Sequence, residues 1–268
     1  MLKDITLGQY FPINSFLHKL DPRTKILIFI FEIVAIFIAQ SVYSYAVLAA
    51  FTLVVMLISK VPVKMYLKGL KPILYIIVFT ALLNLFLTDG ETKVVLFGHN
   101  TGITVEGAIV AAKMAVRLVL LIIGSCALTY TTSPMALTDG IEKLLKPLAK
   151  LRFPTHELAM MMSIAIKFVP TLIEETDKII KAQQARGASF DTGSIFKRAK
   201  SLIPMLVPLF ISAFRRADEL AIAMESRCYT GGDGRTRLRE IKFTSTDLIG
   251  AFIFVLIFAC VIVLDIVF

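Results

Sequence analysis

Histidine and cysteine are scarce in this chain, and their scarcity closes several function classes at once. Cys126, Cys228 and Cys260 lie far apart and form no CxxC or Cys/His spacing, so neither a disulfide framework nor a zinc site is readable. His18, His99 and His156 are the only histidines, and they too lack metal-ligand spacing. The glycine-rich run "GGDGRTR" does not match GxxxxGK[ST], the pattern whose backbone cradles phosphates. No nucleophile–base motif is visible. The chain is therefore read as no enzyme, with no metal and no cofactor of its own. The roughly 24 opening residues are polar and contain proline, without the apolar stretch of a signal peptide, so no cleavable signal is expected.

Acidic residues are also in short supply, 20 against 29 basic, for a net charge of +9. What the chain has in excess is apolar sequence: 57% of its 268 residues are hydrophobic and the mean hydropathy is +0.78. Soluble domains average about 45–50% apolar residues. Composition thus predicts a membrane protein, in which basic residues mark the cytoplasmic side. Membrane lipid is the implied neighbour of its basic flanks, and no nucleic-acid partner is inferred.

Five apolar runs stand out: Ile26–Ala39, Ala46–Ser59, Ile73–Leu87, Ala108–Tyr130 and Leu248–Phe268. A spanning helix needs about 20 residues, and about 17 suffice; flanking Tyr, Gln and Lys extend the three shorter runs. The intervening charges alternate. "QSVYSY" is uncharged, "KVPVKMYLKGLKP" carries four lysines, and Asp89–Glu106 carries one lysine against three acids. The segment 132–246 holds eighteen of the basic residues. The N-terminus, the lysine loop and the long basic segment are therefore expected on the cytoplasmic side of a prokaryotic cell membrane. The expected fold class is all-α: a polytopic membrane protein with a cytoplasmic or interfacial domain of long helices. Its expected divisions are 1–131 (transmembrane), 132–246 (cytoplasmic helices) and 247–268 (a last transmembrane helix).

Within 132–246, a helix is expected over Ala136–Lys150, and two long ones over Thr155–Arg186 and Ser194–Tyr229. Leu158–Ile173 and Leu202–Phe214 are apolar, but spanning by the first would leave Lys178, Lys181, Arg186, Lys197, Arg198 and Lys200 outside. Helices at the interface fit better. Glu174 precedes Lys178, and Asp177 precedes Lys181, by four residues, the favourable order for helix pairs. Pro204 and Pro208 are expected to bend the second long helix.

Two small-Arg-small triplets close these helices: Ala185-Arg186-Gly187 and Ser226-Arg227-Cys228. Each arginine alone reads as a charge complementing a helix C-terminus. As a pair they read as docking tips, because small neighbours leave the guanidinium clear to enter a pocket and its planar fork suits carboxylates and backbone acceptors. Two helices joined by a short turn run away from it, so Arg186 and Arg227 are expected to address two separate places.

Other features weigh less. Lys113 and Arg117 lie four apart in an apolar run, and intramembrane charge is a functional-site hypothesis by default. Glu32 is a possible ion-pair partner, and with Lys113 and Arg117 it would line the path of the alternative function, a self-contained secondary transporter. Asp265 is read as solvated at the outer end. Ala108, Ala111, Ala112 and Ala115 have the spacing for close helix packing. Met160, Met161 and Met162 form an adaptable apolar surface.

In this arrangement the chain resembles the T component (EcfT) of energy-coupling factor transporters, ABC-type importers of vitamins and metal ions. "SFLHKLDPRTKIL" (Ser15–Leu27) looks like the family's opening signature, "QQARG" matches its first Ala-Arg-Gly motif, and "AMESRCY" (Ala223–Tyr229) sits where the second belongs. The resemblance covers essentially the whole chain. It implies that Arg186 and Arg227 each insert into a groove on one of two ATPase subunits. It further implies that the long helices hold a substrate-binding S component, for which Met160–Met162 are the candidate contact, and pass ATP-driven motion to it. One departure stands out: Cys228 replaces the motif's glycine. Cysteine lacks glycine's backbone freedom, so the second helix end is expected to differ from the first.

Overall fold

A computed structural model of the chain describes residues 10–88, 93–96, 99–147, 154–188, 195–231 and 243–267. In chain order the elements are α1 (Phe16–Lys19), α2 (Pro22–Ile38), α3 (Val42–Ser59), α4 (Val63–Leu70), α5 (Leu74–Leu87), β1 (Lys93–Leu96), β2 (His99–Thr104), α6 (Val105–Thr131), α7 (Pro134–Leu145), α8 (Thr155–Ala185), α9 (Ile195–Glu225) and α10 (Ser245–Val267). The chain divides into two compact units. One comprises residues 8–141 and 241–268; the other is built from 142–240.

The architecture is all-α apart from one antiparallel hairpin, β1–β2, between α5 and α6. That hairpin occupies the segment read above as an acidic loop. The four-lysine segment is likewise more ordered than a loop. It forms α4, which meets α5 at a 58° bend. Val61 and Tyr66 bury against Ala127 and Tyr130 of α6, and the Tyr66 hydroxyl shares a hydrogen bond with Ser59. That aromatic anchor draws the lysine segment onto the bundle, a contact invisible in local sequence.

Helix starts follow local chemistry. Asp21 accepts from the Arg23 amide with Pro22 at the first helical position, Ser41 accepts from Tyr43, and Thr104 accepts from Gly107. Each supplies an acceptor to amides that have no intrahelical partner. By length and apolarity α3, α6, α8 and α10 are each able to cross a membrane, and α4–α5 together form a fifth candidate. With 17 residues, α2 is at the lower limit of a span. The chain is a multi-pass membrane protein.

In the first unit α6 is central, touching α2, α3, α4 and α5, while α10 packs on α2 and α3. Ala35 and Ile36 of α2, Ala39 at its C-cap, Leu48 of α3, Leu120 of α6 and Val261 of α10 form its buried core. Small residues permit the close approaches. A Cβ on Gly107 would sit 3.3 Å from the carbonyl oxygens of Asn84 and Leu85 of α5. The close-packed small positions are Gly107 and Ala111; Ala108 and Ala112 are exposed. Apolar side chains such as Phe37, Leu57 and Phe79 are exposed on the unit's outer surface.

The opening signature is a structural knot. Ser15 caps α1, and the His18 ring bonds both Ser15 Oγ (2.7 Å) and the Phe11 carbonyl (2.9 Å). Lys25 Nζ donates to the Thr131 carbonyl at the end of α6, a cation at a helix C-terminus. The Asp21 amide donates to Asp247 Oδ1 at the start of α10 (2.6 Å). One short signature thus staples α2, α6 and α10 together.

Burial, helped by the nearby Lys25 charge, lowers the His18 pKa below its ordinary 6.5 despite the opposing pull of its backbone acceptors. The folded state thus takes up this proton at lower pH than the unfolded state. Stability is complete above about pH 6.5 and declines as pH falls through that value. Thermal unfolding in detergent is expected to show a lower Tm at pH 5.5 than at 7.5, and a His18→Gln protein is expected to lose part of that slope.

Candidate functional site

Both members of the second unit's main helix pair, α8 and α9, are 31 residues long, about 46 Å each. Carboxylate-to-lysine pairs four apart support the polar last turns of α8. Its expected C-terminus at Arg186 is met within one residue. α9 ends at Glu225 and continues as a turn to Cys228. The expected end of the helix over Ala136–Lys150 and the expected turn near 188–193 fall on residues 148–150 and 189–194, outside the described residues.

The two triplets share the same pair of capping bonds. At the end of α8 the Ala188 amide donates to the Gln183 carbonyl (3.0 Å) and the Gly187 amide to Gln184 (2.9 Å). At the end of α9 the Tyr229 amide donates to Met224 (3.0 Å) and the Cys228 amide to Glu225 (2.8 Å). Each set is a Schellman cap, with a left-handed residue directly after the arginine. That residue is Gly187, φ +87°, in one case and Cys228, φ +54°, in the other. Cys228 still adopts the left-handed conformation of Gly187, and the second end differs in that α9 stops at Glu225 and Arg227 lacks the i−4 bond that Arg186 makes to Ala182. Arg186 and Arg227 hold the same position in both caps, and all six triplet residues are exposed. Among the described residues neither guanidinium has an ion-pair partner.

An L-residue in the left-handed region costs about 1 kcal/mol. Cys228→Gly is therefore expected to stabilise the second cap by about that amount and to slow amide exchange at 226–229 roughly fivefold. Gly187→Ala is expected to do the reverse at the first cap. Hydrogen exchange read by mass spectrometry checks both.

Gln183 and Glu175 of α8 each link to α9. Gln183 Nε2 donates to the Pro204 carbonyl (3.4 Å). Proline at 208 has no N–H, so that carbonyl lacks its usual helical partner, and the glutamine fills the gap. Farther along, Arg216 Nη2 meets Glu175 Oε2 at 3.3 Å. The pairing 183 with 204 and 175 with 216 runs antiparallel. Arg186 thus follows the first link by one turn, and Arg227 lies eleven residues beyond the second, in the opposite direction. The separation expected from the sequence is present.

Apolar surface covers the same pair. On α8, Met161 and Met162 are exposed and Met160 is half-buried. On α9, Ile203, Val207, Phe210 and Phe214 are exposed. This surface is available for contact.

The charged residues of the alternative path do not converge. Thr52 Oγ1 donates to Glu32 Oε1 (3.2 Å), and Glu32 lies 2.8 Å from where a Cβ on Gly124 would stand, buried between α2, α3 and α6. Arg117 donates instead to the Tyr45 hydroxyl (2.7 Å) and the Ala39 carbonyl, and Lys113 to the Gln40 carbonyl. The expected ion pair with Glu32 is not formed. Asp265 is not simply solvated either: it accepts from the Ser41 amide (2.8 Å) and the Ser44 hydroxyl (2.7 Å). These groups brace the α2–α3 turn, the cations on its carbonyls and the carboxylate on its amides. Among the described residues no cluster of His, Cys, Asp or Glu is placed to hold a metal ion.

Sequence reading missed Asp247, Glu175 and Arg216. The opening signature flagged Asp21 and Lys25 but not their partners, which lie 226 and 106 positions away.

Residues 13–238 match the family described as CbiQ, cobalt transport protein. Similar chains carry the name energy-coupling factor transporter transmembrane protein EcfT. One from Ruminiclostridium cellulolyticum is 54% identical over 268 residues, the whole of both chains. Another from Clostridium kluyveri is 55% identical over 99% of this chain and 98% of its own. A third, from Bacillus subtilis, is 46% identical over 92% of this chain and 93% of its own. Extent and identity together make this chain a member of the CbiQ/EcfT family of energy-coupling factor transporter transmembrane proteins.

Proposed function

We propose that the chain is the coupling subunit of an energy-coupling factor importer. It docks two ABC-type ATPase subunits through Arg186 and Arg227, and it passes their ATP-driven motion to a substrate-binding S component. The observation that carries this reading is the pair of matching caps: two exposed arginines, equivalent in backbone setting, at opposite ends of one antiparallel helix pair. A merely capping arginine needs no clearance, yet both are flanked by small residues. The S component takes the apolar face of α8 and α9, including Met160–Met162, and binds the vitamin or metal-ion cargo itself.

The N-terminus and residues 132–246 lie on the cytoplasmic side in this reading, where ATP and the ATPases are. The basic residues of that segment support the orientation. Although α8 is apolar enough over one stretch to cross a membrane, six basic residues follow that stretch, so α8 and the apolar part of α9 are placed at the interface. Secondary transport has no support in the site geometry, because Lys113, Arg117 and Glu32 are engaged separately.

Co-purification tests the proposal. Wild type, Arg186→Glu, Arg227→Glu and the double variant are compared for retention of both ATPases and for ATP-dependent uptake. Full retention and uptake by the double variant would sink it.

A further inference from the structure

Gln183–Pro204 lies near the end of α8 from which the chain runs on to α9. Glu175–Arg216 lies on the far side, where nothing covalent holds them. We propose that this ion pair is a clasp that sets the splay of α8 against α9, and through it the spacing of the two docking arginines. The proposal rests on the docking reading above.

Three observations converge on the pair. First, both side chains are half-buried at the packed faces, 33% and 28% exposed, so their geometry is more restricted than that of a free surface pair. Second, the arm from Arg216 to Arg227 contains neither proline nor glycine, and neither does the arm from Glu175 to Arg186. The bend-prone positions, Pro170, Pro204 and Pro208, all lie outside these arms. A change of angle at the pair therefore reaches the tips without being absorbed on the way. Third, Arg227 lies eleven residues, about 16 Å, beyond the clasp. A rotation of about 10° there moves the tip by about 3 Å, enough to take a guanidinium out of hydrogen-bond range. Glu175 and Arg216 act through Arg227 and Arg186, so they are positioning residues.

The test is a charge-swap cycle in the full complex with both ATPases and an S component. Glu175→Arg and Arg216→Glu are expected to keep both ATPases, because the tips are intact, yet to lose roughly fivefold or more in uptake per ATP hydrolysed. The double swap, Glu175→Arg with Arg216→Glu, is expected to restore uptake per ATP to within about twofold. Fluorescent non-natural residues at 184 and 225 read the tip separation by energy transfer: its distribution should broaden in each single variant and narrow again in the swap. If a single reversal fails to assemble, Glu175→Gln gives the same reading with a smaller effect. Uptake per ATP within twofold of wild type in the single variants, or a swap that assembles without restoring it, overturns the clasp. The two proposals fail separately. Retention of the ATPases by the arginine double variant would sink docking, while the label separation, measured on the isolated chain, still answers for the clasp.

Discussion

Reversing both tip charges, Arg186→Glu with Arg227→Glu, is expected to strip the ATPases from the purified complex and abolish ATP-dependent uptake. Each single reversal is expected to weaken its own contact by about 2–4 kcal/mol, roughly 30- to 900-fold in affinity. Arginine presents five donors in a fixed plane, and glutamate in its place offers none while repelling the acceptors that received them. The expectation depends on local geometry that is the same at both ends: an exposed side chain, a Schellman cap and small neighbours. It does not follow from charge alone. Lys181→Glu, five residues before Arg186 on an exposed stretch of the same helix, is the control, and its effect on retention should stay within about twofold. Quantitative immunoblotting of each ATPase after affinity purification reads the result. On the proposed reading, in which each tip docks its own subunit, the single variants should differ in which ATPase contact is lost if the two subunits are distinct. Detergent gel filtration confirms beforehand that each variant is folded and monodisperse.

Asp247→Ala is expected to be among the most destabilising single changes in the first unit. Asp247 is 1% exposed and accepts two backbone amides, from Asp21 at 2.6 Å and Thr244 at 2.8 Å. Alanine leaves the amide of buried Asp21 without that acceptor, while Thr244 is exposed, and a hydrogen bond to an ionised group contributes more than a neutral one. The expected loss is about 2–4 kcal/mol. For a chain of this size that is a fall of roughly 5–15 °C in Tm, read by thermal unfolding in detergent micelles. The change also unties α10 from the start of α2, since the Asp21 amide sits at the helix N-terminus beside Arg23, whose guanidinium lies over Phe243. Asp247→Asn keeps one acceptor oxygen and should cost less than half as much. An alanine protein as stable as wild type would show that the knot at the opening signature is not what joins these helices.

Cys228 takes up the left-handed conformation for a specific reason. Intrinsic preference disfavours cysteine in the left-handed region, but the cap replaces that preference with two hydrogen bonds from 228 and 229 back to 225 and 224. The helix end demands the conformation, and the residue follows. The motif's third position is thus conformational in role, and its arginine is the part free to meet a partner.

Sequence alone was enough for everything set by short-range chemistry and by the solvent. Apolar runs separated by charged loops dictate membrane helices, because an unpaired backbone has no place in lipid. The i,i+4 charge pairs and Gly187 define the end of α8, and the small-Arg-small triplets mark the exposed tips, since all of these act within one or two helical turns. What only the tertiary structure decided involves partners far apart in the chain. Lys113 and Arg117, read with Glu32 as an ion path, and Asp265, read as solvated, prove to be braces on the α2–α3 turn. Asp247 and Lys25 look like flanking charges and prove to be ties between helix ends, and Glu175 and Arg216 look like two more surface charges until α9 folds back on α8. A charged side chain in or near a membrane must find a partner, but its sequence neighbourhood does not say which one. That choice is made by the packing that brings helix ends from distant parts of the chain within hydrogen-bond reach of each other.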